Sequence, residues 1–414
     1  MELQKCKGCR DLRPDEMEKF RYIESVFRGS CLKWGYREIR TPTLEYLYLF
    51  TSAGTLTPGM LRRVYSFLDW DGWSGERVVL RPDGTIPAAR LYIDEMKEEG
   101  LARFFYVINT FVFEETGKES RERWQCGTEI IGDGSVMASA ELIALAVEVL
   151  EKLEVGEVTV KLSHAGLIRA LLESLGLRKE EREKIFNQLL DGDREVMKNL
   201  KPEKPELVKA MSLLLDIKGS SAGYLKNIAA LVESSVRELK KPLDDFIAIV
   251  QRMESLGYKC QVDLNIGKGF EYYTGIIFRL MVGNENVGGG GRYDDLIPLL
   301  GGKEIPAAGF ALYFDRLMAM CKADFIQKNL ARRVIMKVGQ QSAKETLEVA
   351  KKIRAAGYTV EFSYSERKIK DTKWVLDVKD EGRNFILTDS KTMKKAAIDS
   401  VEEVLGIIGG GDAA

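Results

Sequence analysis

Two adjacent tyrosines, Tyr272 and Tyr273, precede a run of four glycines at 288–291 and the string Arg292-Tyr293-Asp294-Asp295. Aromatic rings can wall a small pocket, and their hydroxyls can close it. Glycines let backbones meet where a Cβ would intrude. The pattern points to a small-molecule site on a β-sheet floor, with a tight crossing of strands as the plainer alternative. Tyr272 and Tyr273 alternate across a strand, so at most one faces a ligand fully. The chain has one histidine, His164, which removes mechanisms that need a histidine cluster and most zinc chemistry. Within Leu162-Ser163-His164-Ala165-Gly166 it falls at a strand-to-helix turn and reads as a local hydrogen-bonding residue rather than a catalytic base. Cys6 and Cys9 form a C-x-x-C with no second pair at zinc spacing. Reduced thiols are the expectation, against half a metal site or a redox pair.

A chain of 414 residues has room for two or three domains and a substantial core. Its net charge of -1 gives no global basic field for nucleic acid. No apolar run approaches bilayer length, and Met1–Lys5 does not open a signal peptide. A cytoplasmic protein without membrane partners is expected.

The elements that must position these residues follow from periodicity. Residues 15–34 repeat as a helix through Met17, Phe20, Ile23 and Phe27, up to Gly35. Residues 36–45 alternate as a strand interrupted by Pro42. Strands are expected at 62–69, 77–81, 104–115 and 122–132, the last two as an antiparallel hairpin with a mobile tip around 116–120. A helix over 138–153 and a strand over 158–162 follow. Residues 164–257 read as mostly helical, a helical insertion of about 170–257 between sheet strands. Strands resume at 259–266 and 271–282, followed by a glycine-rich turn at 288–291 and a helix from about 309. Residues 333–408 alternate strand and helix, with helices at 342–356, 370–381 and within 392–406. The expected organisation is a core over 1–325, a linker at 326–332 and a small α/β domain over 333–414.

Several segments together resemble the histidyl-tRNA synthetase family. They are Gly8-Cys9-Arg10-Asp11, Thr41-Pro42 leading to Glu45, Leu80-Arg81-Pro82-Asp83-Gly84-Thr85, and Gln125-x-Gly127-x-Glu129. Tyr272-Tyr273-Thr274-Gly275, Gly288–Asp294, and Ala308-Gly309-Phe310-Ala311 followed by Phe314-Asp315-Arg316-Leu317 complete the set. The resemblance runs through the chain in order. It implies an α+β fold: a class II aminoacyl-tRNA synthetase-like antiparallel sheet flanked by helices, with a helical insertion and a small C-terminal α/β domain.

The family holds true histidine-tRNA ligases and a non-catalytic paralogue, the regulatory subunit of short-form ATP phosphoribosyltransferase. Charge that develops on a phosphate during activation calls for placed arginines. The family's Phe-Arg-x-Glu string reads Phe111-Val112-Phe113-Glu114 here, so an apolar side chain stands at the arginine position. Its Arg-Gly-Leu-Asp-Tyr-Tyr string reads Lys268-Gly269-Phe270-Glu271-Tyr272-Tyr273, which keeps a charge and loses the planar fork. The intervening loop, Glu115–Arg123, is short and acidic. The resemblance assigns histidine binding to Asp83, Thr85, Gln125, Glu129, Tyr272 and Tyr273. It leaves Glu114, Arg121, Lys268 and Arg316 as residues of a residual nucleotide site. These departures favour the regulatory reading, with no catalytic residue and no cofactor. Its partners are histidine and the catalytic subunit, around a homodimer core that uses the region 36–45. The ligase reading, with ATP, magnesium and tRNA, remains the alternative, and a synthetase-like binding module is a third.

Overall fold

A computed structural model of the chain describes residues 4–52, 61, 63–70, 75–114, 119–190, 195–198, 218–219, 221–232, 239–264, 273–322, 332–337, 343–363, 373–379, 384–390 and 392–410. Expectations for the hairpin tip at 116–118, for Lys268 and Tyr272, and for most of the linker fall outside them. The chain divides into two compact units, Met1–Cys321 and Lys322–Ala414.

The strands of the first unit are β1 (Arg37–Glu38), β2 (Leu44–Tyr46), β3 (Ser66–Trp70), β4 (Gly75–Leu80), β5 (Ala102–Phe111), β6 (Glu122–Ile131), β7 (Val158–His164), β8 (Lys218–Gly219), β9 (Lys259–Asp263), β10 (Ile276–Val282), β11 (Glu285–Arg292) and β12 (Ala307–Tyr313). Nine form one sheet in the order β1-β5-β6-β12-β11-β10-β7-β9-β8. Within that sheet, among the described residues, only β1/β5 and β7/β9 pair in parallel. A second sheet has the order β2-β4-β3.

One face of the large sheet is covered by helices. Helix Pro14–Lys33 starts with proline at its first position and Glu16 bonded back to the Arg13 N–H, and it buries Phe20, Ile23, Phe27 and Cys31. Phe20 meets Trp124 edge-on and Phe27 meets Phe105, so the stripe docks on β5 and β6. Helices Val136–Lys152, Lys240–Ser255 and Phe314–Met320 join this layer. Side chains alternate along a strand, so Tyr106, Gly127 and Glu129 face the other way.

The segment read as one strand over 36–45 is split between two sheets, as β1 and β2. The buried Arg81 guanidinium sits in the gap and donates to the carbonyls of Thr41 (2.7 Å) and Pro42 (3.0 Å) and to the Asn109 backbone and side chain. The 288–291 glycines form no turn; they lie inside β11, paired with β10 and β12. The helix expected from 309 is strand β12, and the helix begins at Phe314. Among the described residues, the helices between β7 and β9 are Ala165–Ser174, Lys179–Leu190, Glu195–Lys198, Ala222–Val232 and Lys240–Ser255, with β8 among them.

The second unit contains β13 (Arg333–Lys337), β14 (Thr359–Ser363), β15 (Trp374–Lys379), β16 (Asn384–Asp389) and β17 (Lys395–Ile398), in the order β14-β13-β15-β16-β17. Helices Ala343–Ala355 and Val401–Gly410 close its core around Met336, Leu376, Leu387 and Val404. The helix expected over 370–381 is, where described, the strand β15. Trp374-Val375-Leu376 is a buried run with an aromatic and a β-branched residue, which suits an inner strand between two partners.

Candidate functional site

Glu129 is a buried acid near the C-terminal end of β6. The Tyr106 hydroxyl donates to its Oε1 at 2.8 Å, and the Tyr293 hydroxyl donates to its Oε2. The Thr85 hydroxyl lies within the same cluster, beside Glu129 and Tyr106. Asp83 stands next to it. Its Oδ1 accepts the Ile86 N–H at 3.0 Å, which also holds the first turn of helix Thr85–Leu91. Burial pushes Glu129 up to about 8, against the opposing hydroxyl donors, and the Asp83 charge adds to the rise. Burial likewise lifts Asp83 to about 6, despite the Ile86 and Thr85 N–H groups. Two such acids match an ammonium, whose charge would replace the protons they hold.

Glycines make this cluster possible. The Tyr106 ring occupies the space that a Cβ on Gly84 or Gly127 would fill, and a Cβ on Gly309 would overlap the Glu129 carboxylate. The registers agree: Glu129 is opposite Gly309, and Gly309 is opposite Gly291. Tyr273 is buried, packs its ring on Gly291 and lies 6.2 Å from the Tyr293 ring. Tyr293 is held in turn by its neighbours. The Arg292 guanidinium donates to the carbonyls of Asp133 and Ser135, to Ser139 Oγ and to Asp294. The Asp294 N–H donates to Thr274 Oγ1 at 3.0 Å, which ties the Tyr273 segment to the end of β11.

Of the expected histidine-binding residues, Asp83, Thr85, Glu129 and Tyr273 are thus brought together. Gln125 lies on the same face of β6, opposite Tyr313 of β12 and half-buried. Of the expected nucleotide residues, Glu114 and Arg121 touch one another, and Arg316 is engaged elsewhere. Arg121 donates from Nε to the Glu114 carbonyl at 2.7 Å and lays its guanidinium 4.9 Å from the centre of the Phe113 ring. Its N–H donates to the Gly8 carbonyl, so the Gly8–Asp11 segment docks on this hairpin, and Arg10 pairs with Asp315 at 2.7 Å. Arg316 turns outward to an exposed ion pair with Glu285 at 2.6 Å.

His164 departs from its expectation. It is buried at the end of β7, and its Nδ1 has no hydrogen-bond partner among the described residues. Burial first, and then the Arg292 charge, hold the imidazole down at about 3, so it stays neutral. Cys6 and Cys9 are free and exposed. Among the described residues, no group of three or more His, Cys, Asp or Glu side chains is placed to hold a metal ion, and no helix is long and apolar enough to cross a membrane.

Sequence reading does not single out Tyr106 or Tyr293. Tyr106 hides in the apolar run Phe104–Ile108, which reads as core. The usable signal was Gly127, a glycine inside a strand pattern that marks a close approach.

A nine-stranded, mainly antiparallel sheet with helices on one face and an acidic, aromatic cluster on the other is the class II synthetase architecture. The solved histidyl-tRNA synthetase from Nostoc sp. PCC 7120 matches it with a TM-score of 0.77 over 99% of both chains, at 17% identity, a likeness of fold alone. The Histidyl-tRNA synthetase family profile matches residues 8–317, and the chain belongs to that family. A protein named ATP phosphoribosyltransferase regulatory subunit from Dehalococcoides mccartyi (strain BAV1) is 52% identical over 408 residues, covering 99% of each chain. A histidine–tRNA ligase from Archaeoglobus fulgidus is 33% identical over 384 residues, covering 89% of this chain and 88% of that one. The Bacillus halodurans structure titled ATP phosphoribosyltransferase regulatory subunit/histidyl-tRNA synthetase has a TM-score of 0.76 at 25% identity, over 90% of this chain and 95% of that chain.

Proposed function

We propose that this chain is the regulatory subunit of an ATP phosphoribosyltransferase and that it senses histidine for feedback control. The site comprises Asp83, Thr85, Gln125, Glu129 and Tyr273, with Tyr272 contributed by the neighbouring segment. The acids take the α-ammonium, and the tyrosines border the imidazole. The observation that carries this reading is an intact acidic cluster alongside Val112. The acid of the amino-acid side keeps its tyrosine partners, and an arginine expected to grip a nucleotide phosphate is replaced by an apolar residue. The 52% identity to proteins named as regulatory subunits supports it. The chain works in the cytoplasm as a homodimer within a hetero-oligomer, needs no cofactor to bind histidine, and passes the signal to a short catalytic chain. Such coupling amounts to about 1–3 kcal/mol.

The test is co-expression with a short phosphoribosyltransferase chain. The two should co-purify, and histidine should inhibit the complex about 5- to 150-fold more strongly than the catalytic chain alone. The chain by itself should give no histidine-dependent ATP–pyrophosphate exchange. The ligase reading draws on relatives at 31–34% identity named as histidine–tRNA ligases; robust exchange would establish it and reject the regulatory one.

A further inference from the structure

The strands beside Glu129 carry only small residues on its face, so that the Tyr106 ring lies over Gly127 and the Tyr273 ring over Gly291. On the face that bears Glu129, β6 presents Gly127, β12 presents Gly309 and Ala311, and β11 presents Gly289 and Gly291, in direct register. On β12 this run of small residues stops at one position. Tyr313 is the next position of β12 on that face, opposite Gln125, and it is half-buried. From the level of Glu129 to the level of Tyr313 is four residues of strand, about 13 Å. The Tyr313 side chain lies beside Asn286 of β11 and within the fields of Arg279 and Arg123. Partial burial pushes its phenol up from the ordinary value.

We propose that Tyr313 is a specificity-determining wall that ends the amino-acid pocket. The site then takes a free amino acid and rejects one extended through its carboxylate into an adenylate. Nucleotide-sized ligands are excluded by the bulk of this ring, although Arg279 and Arg123 lie beside it. The disposition of two other cations agrees, since Arg316 is turned to Glu285 and Arg121 is seated on Phe113. The inference rests on reading the Glu129 cluster as the amino-acid site.

The test uses calorimetry on the full chain with two probes, L-histidine and the non-hydrolysable adenylate mimic histidyl-sulfamoyl-adenosine. Wild type should bind the mimic at least about tenfold more weakly than histidine. In Tyr313→Ala and Tyr313→Gly the ratio of mimic affinity to histidine affinity should rise by about tenfold or more. A wild type that binds the mimic as tightly as histidine overturns the wall, as does an unchanged ratio in a folded variant. A wild type that gives no heat with histidine sinks the histidine reading instead. The wall is then read with the fluorescent nucleotide trinitrophenyl-ATP alone. Wild type dark and Tyr313→Ala bright supports it; wild type bright, or both dark, overturns it.

Discussion

At the scale of single residues, Glu129 is the group whose protonation the fold alters most usefully. Its folded value is about 8, against 4.5 for a free glutamate. Below 4.5 the carboxyl is protonated in both folded and unfolded chains. Between 4.5 and 8 the unfolded chain releases the proton and the folded chain keeps it, so stability falls as pH rises through that window. Without ligand, thermal unfolding should therefore occur at lower temperature at pH 8 than at pH 5. Glu129→Gln should narrow that difference; a variant with the wild-type pH slope would remove Glu129 as its source. An ammonium ligand has the opposite preference, because it favours the ionised acids. Histidine binding should then release protons, and its affinity should strengthen as pH rises through the Asp83 value of about 6 towards 8. Calorimetry in two buffers of different ionisation enthalpy measures the release, which Glu129→Gln should diminish. Glu129 was legible in the sequence through its motif. The two hydroxyls that hold it were not, because a tyrosine in the middle of an apolar strand and one after a glycine run carry no local mark of pairing across the sheet.

At the scale of elements, the site depends on strands that lack side chains where they meet. A β12 helix would have scattered Gly309, Ala311 and Tyr313 around a cylinder, whereas the strand sets them in one row. The sequence Ala307–Leu312 is apolar without a clear period, so length and composition cannot separate a short buried strand from a helix start. The glycines of β11 mislead in the same way: they resemble a turn, yet their role is close approach to β10 and β12. The N-terminal helix was legible because its pattern is long and its buried residues recur at helical spacing, and the β5–β6 hairpin because its two strands are long. The consequence for β12 is measurable. In Gly309→Ala the new methyl would overlap the Glu129 carboxylate and crowd the Thr128 carbonyl. Overpacking of this kind costs about 1–3 kcal/mol. Chemical denaturation should show a loss of that size, and histidine heat should disappear, since the displaced carboxylate would break its bonds with Tyr106 and Tyr293. Gly406→Ala, on an open surface of helix Val401–Gly410, should leave histidine binding intact. A folded Gly309→Ala variant with wild-type affinity would show that Glu129 tolerates displacement and that the glycine floor is incidental.

At the scale of the whole molecule, the small β2-β4-β3 sheet and the helix Leu47–Ser52 expose Leu44, Tyr46, Tyr48, Phe67, Leu68 and Trp70, with Tyr46 and Tyr48 stacked. Every residue of β3 is exposed. Apolar groups gathered on one element mark an interaction surface more often than chance exposure does. They adjoin the 36–45 region through which the proposed homodimer would form. This surface could not be read in advance: Ser66-Phe67-Leu68-Asp69-Trp70 looks like an ordinary half-buried strand, and only the sheet order shows it at an edge. A pair of opposite charges placed there, Leu44→Glu with Tyr46→Lys, should convert a dimer to a monomer in light scattering. Both side chains are already exposed, so the change should cost within about 0.5 kcal/mol of monomer stability. The Glu129 cluster comes from β5, β6, β11 and the helix after Asp83, all of one chain. Histidine heat should therefore survive in the monomer, while control of the catalytic partner is lost if coupling runs through the dimer. A wild-type chain that is monomeric at micromolar concentration would refute the homodimer core directly. A monomeric variant that still transmits inhibition would locate the coupling within a single chain and its partner.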